Sequence, residues 1–123
     1  MNFIKIYYLF ILLSNLIFSN NYLFNENIRI TESYNDQKFP EIAINDNIIH
    51  LTWVSINGFN KNINYSKSND FGETFSIPIQ INYVNNNIIA YGQSGPKINV
   101  FNDNIYISYT HNRTGYTSIY LNI

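Results

Sequence analysis

Asp70 and Glu73 are carboxylates three residues apart, and a carboxylate pair can hydrolyse a glycosidic bond as acid and nucleophile or base. Both lie in the octet Ser-Asn-Asp-Phe-Gly-Glu-Thr-Phe at residues 68–75. An Asp in such a context accepts hydrogen bonds from nearby backbone amides, and a Gly two residues later takes the positive φ of a tight turn. We therefore assign Asp70 to a turn and expect no catalytic role for the pair.

The other side chains of the octet also suit a turn. Ser68 and Thr74 offer hydroxyl groups that close it, and Gly72 permits the bend. Phe75 can place its ring beneath the turn, and burial of such a ring stabilises a protein by about 2–3 kcal/mol. The octet predicts a structural connection between two strands.

Two arginines and two histidines are the remaining candidates for chemistry. Arg29 lies in a short predicted strand and Arg113 in a polar loop, and we interpret both as solvated residues. His50 and His111 have no third ligand at metal-binding spacing. We predict ordinary strand positions for them, with no metal site, no cofactor and no catalytic residue in the chain.

Short apolar segments rich in Ile, Tyr, Phe and Val fill the chain after residue 20, separated by Asn, Asp, Gly and Pro. No stretch there has apolar residues at helical spacing, so the pattern predicts an all-β fold. Residues 82–95 are expected to form a longer connection. The predicted strands are residues 28–31, 41–44, 48–55, 63–67, 77–81, 97–101, 104–110 and 118–123.

The predicted strands repeat with a gapless offset of 56 residues. Apolar positions keep the same two-residue alternation in both copies, so Trp53 corresponds to Tyr109. A period of about 40 to 56 residues in short strands is typical of propeller blades or a related array. The identical pairs are Gln37 with Gln93, Pro40 with Pro96, Ile42 with Ile98, Ile49 with Ile105 and Ile63 with Ile119.

Three further segments accompany the octet: Ile-His-Leu-Thr-Trp at residues 49–53, Ile-Asn-Tyr-Ser at 63–66, and Gln-Ser-Gly-Pro-Lys-Ile at 93–98. Together with the octet they resemble the Asp-box, or bacterial neuraminidase (BNR), repeats of sialidase-like proteins. The resemblance covers residues 28–123. The matching positions of the box are Ser68, Asp70, Gly72, Thr74 and Phe75.

The resemblance implies a β-propeller in which the box is structural and joins the third and fourth strands of a blade. By this parse, blade 1 is about residues 41–81, and a partial blade 2 is about residues 97–123. Propellers typically use four to eight four-stranded blades, so two cannot close a ring. We interpret the chain as a truncated gene or a fragment that needs further blades or self-association.

A working sialidase of this family, as the resemblance implies, holds the substrate carboxylate with three arginines. It adds a Tyr–Glu nucleophile pair and an Asp acid. Arginine suits the carboxylate because its guanidinium forms two parallel hydrogen bonds with it. A three-arginine clamp cannot be built from the two arginines of this chain.

Residues 1–19 predict a signal peptide that is removed on export. A short basic start ends at Lys5, residues 6–18 are mostly apolar, and Ser19 is small enough to precede a cleavage site. A spanning helix needs about 20 apolar residues, so we do not expect a stable membrane span. Residues 20–123 are the predicted repeat segment, secreted, periplasmic or on the cell surface.

Composition limits the partners of this segment. The formal net charge of the whole chain is −1 and becomes −2 when Lys5 is removed with the signal peptide. The seven Lys and Arg residues of the chain form no cluster, which argues against nucleic acid. The chain has no cysteine, so it can form no disulfide. We predict an exported binding or scaffold module, with glycans or extracellular proteins as partners. The alternatives are a truncated piece of an exo-α-sialidase and a remnant without function.

Overall fold

The computed structural model describes residues 26–83, 88–112 and 117–123. All regular elements in these residues are β-strands, which confirms the predicted all-β class. This described part of the chain has no helix of the length and apolarity that crossing a membrane requires. The predicted signal peptide at 1–19 and Arg113 lie outside the described residues.

The first sheet has four antiparallel strands in sequential order. These strands are β1 (Asp36–Asn45), β2 (Ile48–Asn57), β3 (Asn60–Ser68) and β4 (Ile79–Gln80). The pairing of β1 with β2 shifts between Lys38 and Glu41, which marks a bulge. Phe39 there has a φ of 56°, and a proline suits the position after it because a bulge needs no amide donor.

The second sheet is built around a central strand. Its strands are β5 (Ile88–Ile89), β6 (Lys97–Phe101), β7 (Asn104–His111) and β8 (Ser118–Asn122). Strand β7 pairs antiparallel with each of the other three. Thr110 of β7 pairs with both Ile89 and Ile119, so β5 shares the β6 edge of β7 and β8 takes the opposite edge.

The strand pairing reproduces the 56-residue offset. Leu51 pairs with Ile42 in the first sheet, and Ile107 pairs with Ile98 in the second. The third strands continue this register, because Thr52 pairs with Tyr65 just as Ser108 pairs with Leu121. The two sheets are therefore copies of one hairpin arrangement from Glu41 and Lys97 onward.

The offset fails before those residues, where the prediction had aligned Gln37 with Gln93. Gln37 pairs with Ser55, but the residue 56 positions after Ser55 is His111, which pairs with Ile88. At this position the second sheet therefore uses Ile88, five residues before Gln93 in the sequence, and the chain between β5 and β6 forms a loop. This is why β5 lies inside the stretch that was expected to be a plain connection.

Two other predicted strands differ from the structure. Residues 28–31 form no strand, and the Arg29 guanidinium there donates to the carbonyls of Thr31 and Ser33. The strand predicted at 77–81 is reduced to β4, which follows Pro78. Proline has no amide hydrogen and interrupts the pairing with β3.

The two sheets pack face to face around one hydrophobic core. The first sheet contributes Val54, Ile63 and Tyr65, and the second contributes Ile88, Ala90, Ile107 and Tyr109. Side chains alternate between the faces of a strand, so Trp53 lies on the opposite face of the first sheet from Val54. It is also buried, at 3% exposure, but it is not part of the core between the sheets.

Candidate functional site

The octet forms a turn between β3 and β4 that is closed by its own side chains. Asp70 accepts hydrogen bonds from Ser68 Oγ at 2.6 Å, Thr74 N at 2.9 Å and Thr74 Oγ1 at 2.5 Å. Ser68 Oγ in turn accepts from the amide of Gly72 at 2.8 Å. Both oxygens of the Asp70 carboxylate are therefore engaged inside the turn.

These hydrogen bonds determine the charge of the Asp70 carboxylate. The Ser68 hydroxyl first, and then the hydroxyl and amide of Thr74, lower the pKa of Asp70 to about 2. Asp70 stays ionised at physiological pH and its oxygens already hold protein donors. Asp70 is therefore unsuited to act as a general acid or base, and its carboxylate serves to close the turn.

The backbone explains why the octet has a glycine at its centre. Gly72 has a φ of 94°, in the left-handed region that residues with a Cβ avoid. A Cβ at this position would also lie 3.2 Å from the Ile49 side chain on β2. Phe71 next to it has a φ of 59°, so two successive residues turn the chain back toward the sheet.

Phe75 is half-buried rather than enclosed beneath the turn. With Glu73 and Thr74 it lines a small cleft whose other wall is Ile28, Arg29 and Ile30. The segment before β1 therefore runs past the octet. Its contact with Phe75 is a tertiary feature that the octet alone does not specify.

His50, His111 and Arg29 do not form a catalytic group in the structure. His50 is buried on β2, and its Nδ1 lies 2.8 Å from the hydroxyl of Tyr65. Burial, and then the charge of Lys67, lower the pKa of His50, so its neutral form is favoured. His111 is buried on β7. Among the described residues, no group of three or more His, Cys, Asp or Glu side chains could hold a metal ion.

A polar groove on the Trp53 face of the first sheet was not predicted from the sequence. Its volume is about 400 Å³. Trp53 forms part of the wall, and its Nε1 donates to Gln37 Oε1 at 2.5 Å, which fixes the orientation of the ring. Amide and hydroxyl side chains dominate the rest of the lining: Thr31, Ser33, Asn35, Gln37, Ser55, Asn62 and Asn64.

The strand register explains how these polar side chains meet. Asn62 pairs with Ser55 and Asn64 pairs with Trp53, so all four lie on one face of adjacent strands. The alternation of Asn62 and Asn64 along β3 could have predicted this polar face from the sequence. The contribution of residues 31–35 could not be predicted, because it depends on where the chain runs before β1.

Comparisons with protein-family models, with curated proteins and with solved structures find no match to this chain. Two features of its own residues carry the functional interpretation. One is the octet turn, which is a structural element, and the other is the polar groove, which offers hydrogen-bonding groups to a ligand.

Proposed function

We propose that the chain is an exported, sialidase-like Asp-box repeat segment that acts as a binding or scaffold module of a β-propeller. The observation that carries this proposal is the octet turn, in which Asp70 is held by Ser68 and Thr74 at the connection of a third and a fourth strand. The 56-residue register of two stacked antiparallel sheets supports it as well. In this proposal the sheets are successive blades.

Glycans are the proposed ligands, with the polar groove as their site. Amide and hydroxyl groups at Asn35, Asn64 and Ser33 supply donors and acceptors for sugar hydroxyls. A groove of about 400 Å³ falls within the range of small-molecule sites. Trp53 is too buried to stack on a sugar ring, so hydrogen bonding carries the recognition.

Catalysis by this segment alone is not part of the proposal. Asp70 is ionised and already accepts hydrogen bonds from its own turn. The Arg29 guanidinium donates to the carbonyls of Thr31 and Ser33, which leaves it poorly placed to clamp a carboxylate.

Binding of oligosaccharides to the purified chain tests the proposal. We expect calorimetry with sialylated and neutral oligosaccharides to detect binding, and Asn64→Ala to weaken it by about tenfold, the equivalent of one or two lost hydrogen bonds. The matched control is Asn99→Ala, an exposed strand asparagine of the second sheet outside the groove. Absence of binding to every sugar, or equal loss in both variants, contradicts the groove as a glycan site.

A piece of an exo-α-sialidase is the alternative, and the same octet favours it, because the box belongs to sialidase-like repeats. In this alternative, the arginines and the nucleophile come from sequence outside the chain. A fluorogenic sialoside distinguishes the two ideas. Release of the fluorophore by the purified chain would overturn the binding-module proposal, and no release together with glycan binding would support it.

A further inference from the structure

The repeat gives each surface of one sheet a counterpart in the other, and two counterparts differ sharply in exposure. Ile63 on β3 is 0% exposed because the second sheet covers it. Ile119 occupies the same register position on β8 and is 81% exposed. Leu121, the counterpart of the buried Tyr65, is exposed as well. The outer face of the second sheet therefore has the apolar pattern of a covered face, and no strand of the described residues covers it.

The opposite end of the stack shows the complementary difference. Ile98 on β6 is partly buried against the core between the sheets. Its counterpart Ile42 on β1 is 59% exposed, and Ile44 beside it is 66% exposed. The first sheet thus presents a face of the type that the second sheet uses to cover its neighbour. Residues 31–35 lie beside Trp53 on this face and leave the Ile42 end open.

We propose that the two faces bind each other in separate copies of this chain. The Ile42 face of one copy covers the Ile119 face of another, which repeats the Ile98 part of the contact between the first and second sheets. Leu51 and Trp53, the counterparts of the core residues Ile107 and Tyr109, are already buried within their own chain. The occupant is a second copy because the repeat itself shows which surface fits: the Ile98 face already covers the Ile63 face within one chain. The interface is head-to-tail, so an open pair of copies still has one free Ile42 face and one free Ile119 face.

An ion pair at the sheet junction supports this pairing through its charge. Glu41 of β1 forms an ion pair with Lys97 of β6, and the two residues occupy the same position in the repeat. Between copies, Lys97 would again meet a Glu41. Opposite charges therefore alternate along the stack, and no like charges meet.

Phe39 and Gly95 also meet at the junction of the sheets. A Cβ on Gly95 would lie only 2.6 Å from the Cβ of Phe39, so this close approach requires a glycine. Both residues precede Glu41 and Lys97, where the shared register begins, so this contact belongs to the junction within one chain.

A head-to-tail interface gives a ring if its rotation closes and an open array if it does not. The face pairing does not depend on the proposed function, but the copy number rests on the proposed propeller. With four to eight sheets in a ring and two sheets per chain, about two to four copies close it. The glycan groove occupies the Trp53 end of the same sheet face as Ile42, and because glycan binding and assembly are measured separately, failure of one does not decide the other.

Sedimentation of the full-length chain at about 1 to 100 μM, together with two charge variants, tests the proposal. We expect a concentration-dependent oligomer for the unmodified chain. Ile119→Glu and Ile42→Glu each put a charge on one of the two exposed faces, and each is expected to raise the dissociation constant at least about tenfold. A monomer at all concentrations overturns the proposal.

Mixing the two variants distinguishes this interface from non-specific association. The Ile119→Glu chain retains an intact Ile42 face, and the Ile42→Glu chain retains an intact Ile119 face. A 1:1 mixture is therefore expected to form a dimer that grows no further. If the mixture stays monomeric while the unmodified chain associates, the head-to-tail pairing is wrong.

Phe59→Glu is the matched control, since Phe59 is an almost fully exposed apolar residue in the β2–β3 turn, away from both faces. We expect it to assemble like the unmodified chain. Because all three substituted residues are exposed, circular dichroism should show the same fold in every variant. Loss of assembly in the control as well would attribute association to general stickiness and overturn the specific interface.

Discussion

The two sheets share one hairpin register but differ at the start of their first strand. In the first sheet, β1 runs without a break from Asp36 to Asn45 and absorbs the irregularity in a bulge at Phe39. In the second sheet, the equivalent edge of β7 is shared by β5 and β6, with a loop between them. The central hairpin therefore has the same register in both sheets. The first strand can be interrupted, as long as another segment pairs with the same edge.

The sheets differ also in the surroundings of identical side chains at equivalent positions. Ile63 and Ile119 are the same residue at the same register position, yet one is buried and the other exposed. Exposure in this fold is thus set by the order in which sheets stack, and hardly by the strand itself. Ile63 and Ile119 therefore serve as an internal control for the effect of burial.

The largest expected effect is that of Trp53→Ala. We expect it to reduce the free energy of unfolding by about 3–5 kcal/mol, because a buried indole leaves a large cavity. The hydrogen bond to Gln37 is lost as well. Denaturation in urea measures the change, with Trp53→Phe as the milder control. A near-unchanged midpoint would mean that the face away from the second sheet contributes little to stability.

Ile63→Ala and Ile119→Ala compare the two sheets directly. Truncation of Ile63 is expected to cost about 2–5 kcal/mol, since its side chain is fully buried in the core. Truncation of Ile119 should change stability by less than about 0.5 kcal/mol when the chain is monomeric. Both values come from the same urea titrations at low protein concentration. Equal costs would show that the repeat register does not control burial.

Gly95→Ala tests the junction of the sheets. The added methyl group would lie too close to Phe39, and such overpacking typically costs about 1–3 kcal/mol. A double-mutant cycle with Phe39→Gly should show that the two substitutions are coupled, because only removal of the Phe39 Cβ removes the clash. Strict additivity would contradict the close approach of the two positions.

His50 is expected to make stability depend on pH near neutrality. Its pKa is lowered from 6.5 in the folded chain by burial and by Lys67, so the unfolded chain binds the proton more tightly. Stability is complete above about pH 6.5 and falls as the pH decreases through that value. His50→Gln should flatten this part of the curve. The second sheet has Tyr106 at this position, so it offers no matching imidazole.

Asp70→Asn is expected to have the smallest effect among these predictions, and this effect is present at neutral pH and disappears in acid. The pKa of Asp70 is lowered to about 2 by Ser68 and Thr74, so its contribution is present above the ordinary value of 3.8 and is lost as the pH falls toward 2. Acid unfolding of the variant should therefore have a shallower slope between these values. An unchanged slope would contradict the hydrogen bonds of the turn.

The sequence was sufficient for elements that depend on local alternation. Strand β6 was predicted with its observed bounds, and the register of β2, β3, β7 and β8 follows the 56-residue offset. Each of these strands alternates Ile, Tyr or Trp with polar residues. This pattern can be recognised in the sequence without knowing which strands lie next to each other. The turn at Asp70 was also predictable, because its hydrogen bonds join residues of one octet.

Elements that depend on distant residues were not predictable. Strand β5 has two residues, and it is a strand only because it meets the end of β7 about 20 positions later. Residues 28–31 have a strand-like composition, but they pair with no strand in the described part of the chain, and the Arg29 side chain donates to the carbonyl of Thr31. The polar groove joins residues 31–35 to β2 and β3, so no local pattern contains it.

All strand pairing within the first sheet joins residues between 36 and 80. A ribosome that has released this segment has already delivered a complete sheet, and co-translational folding can begin there. The second sheet emerges later, so the Ile63 face remains open to chaperones or to other nascent chains in the meantime. Slow translation beyond residue 80 would lengthen this interval, and codon choice in that stretch becomes a means to control yield.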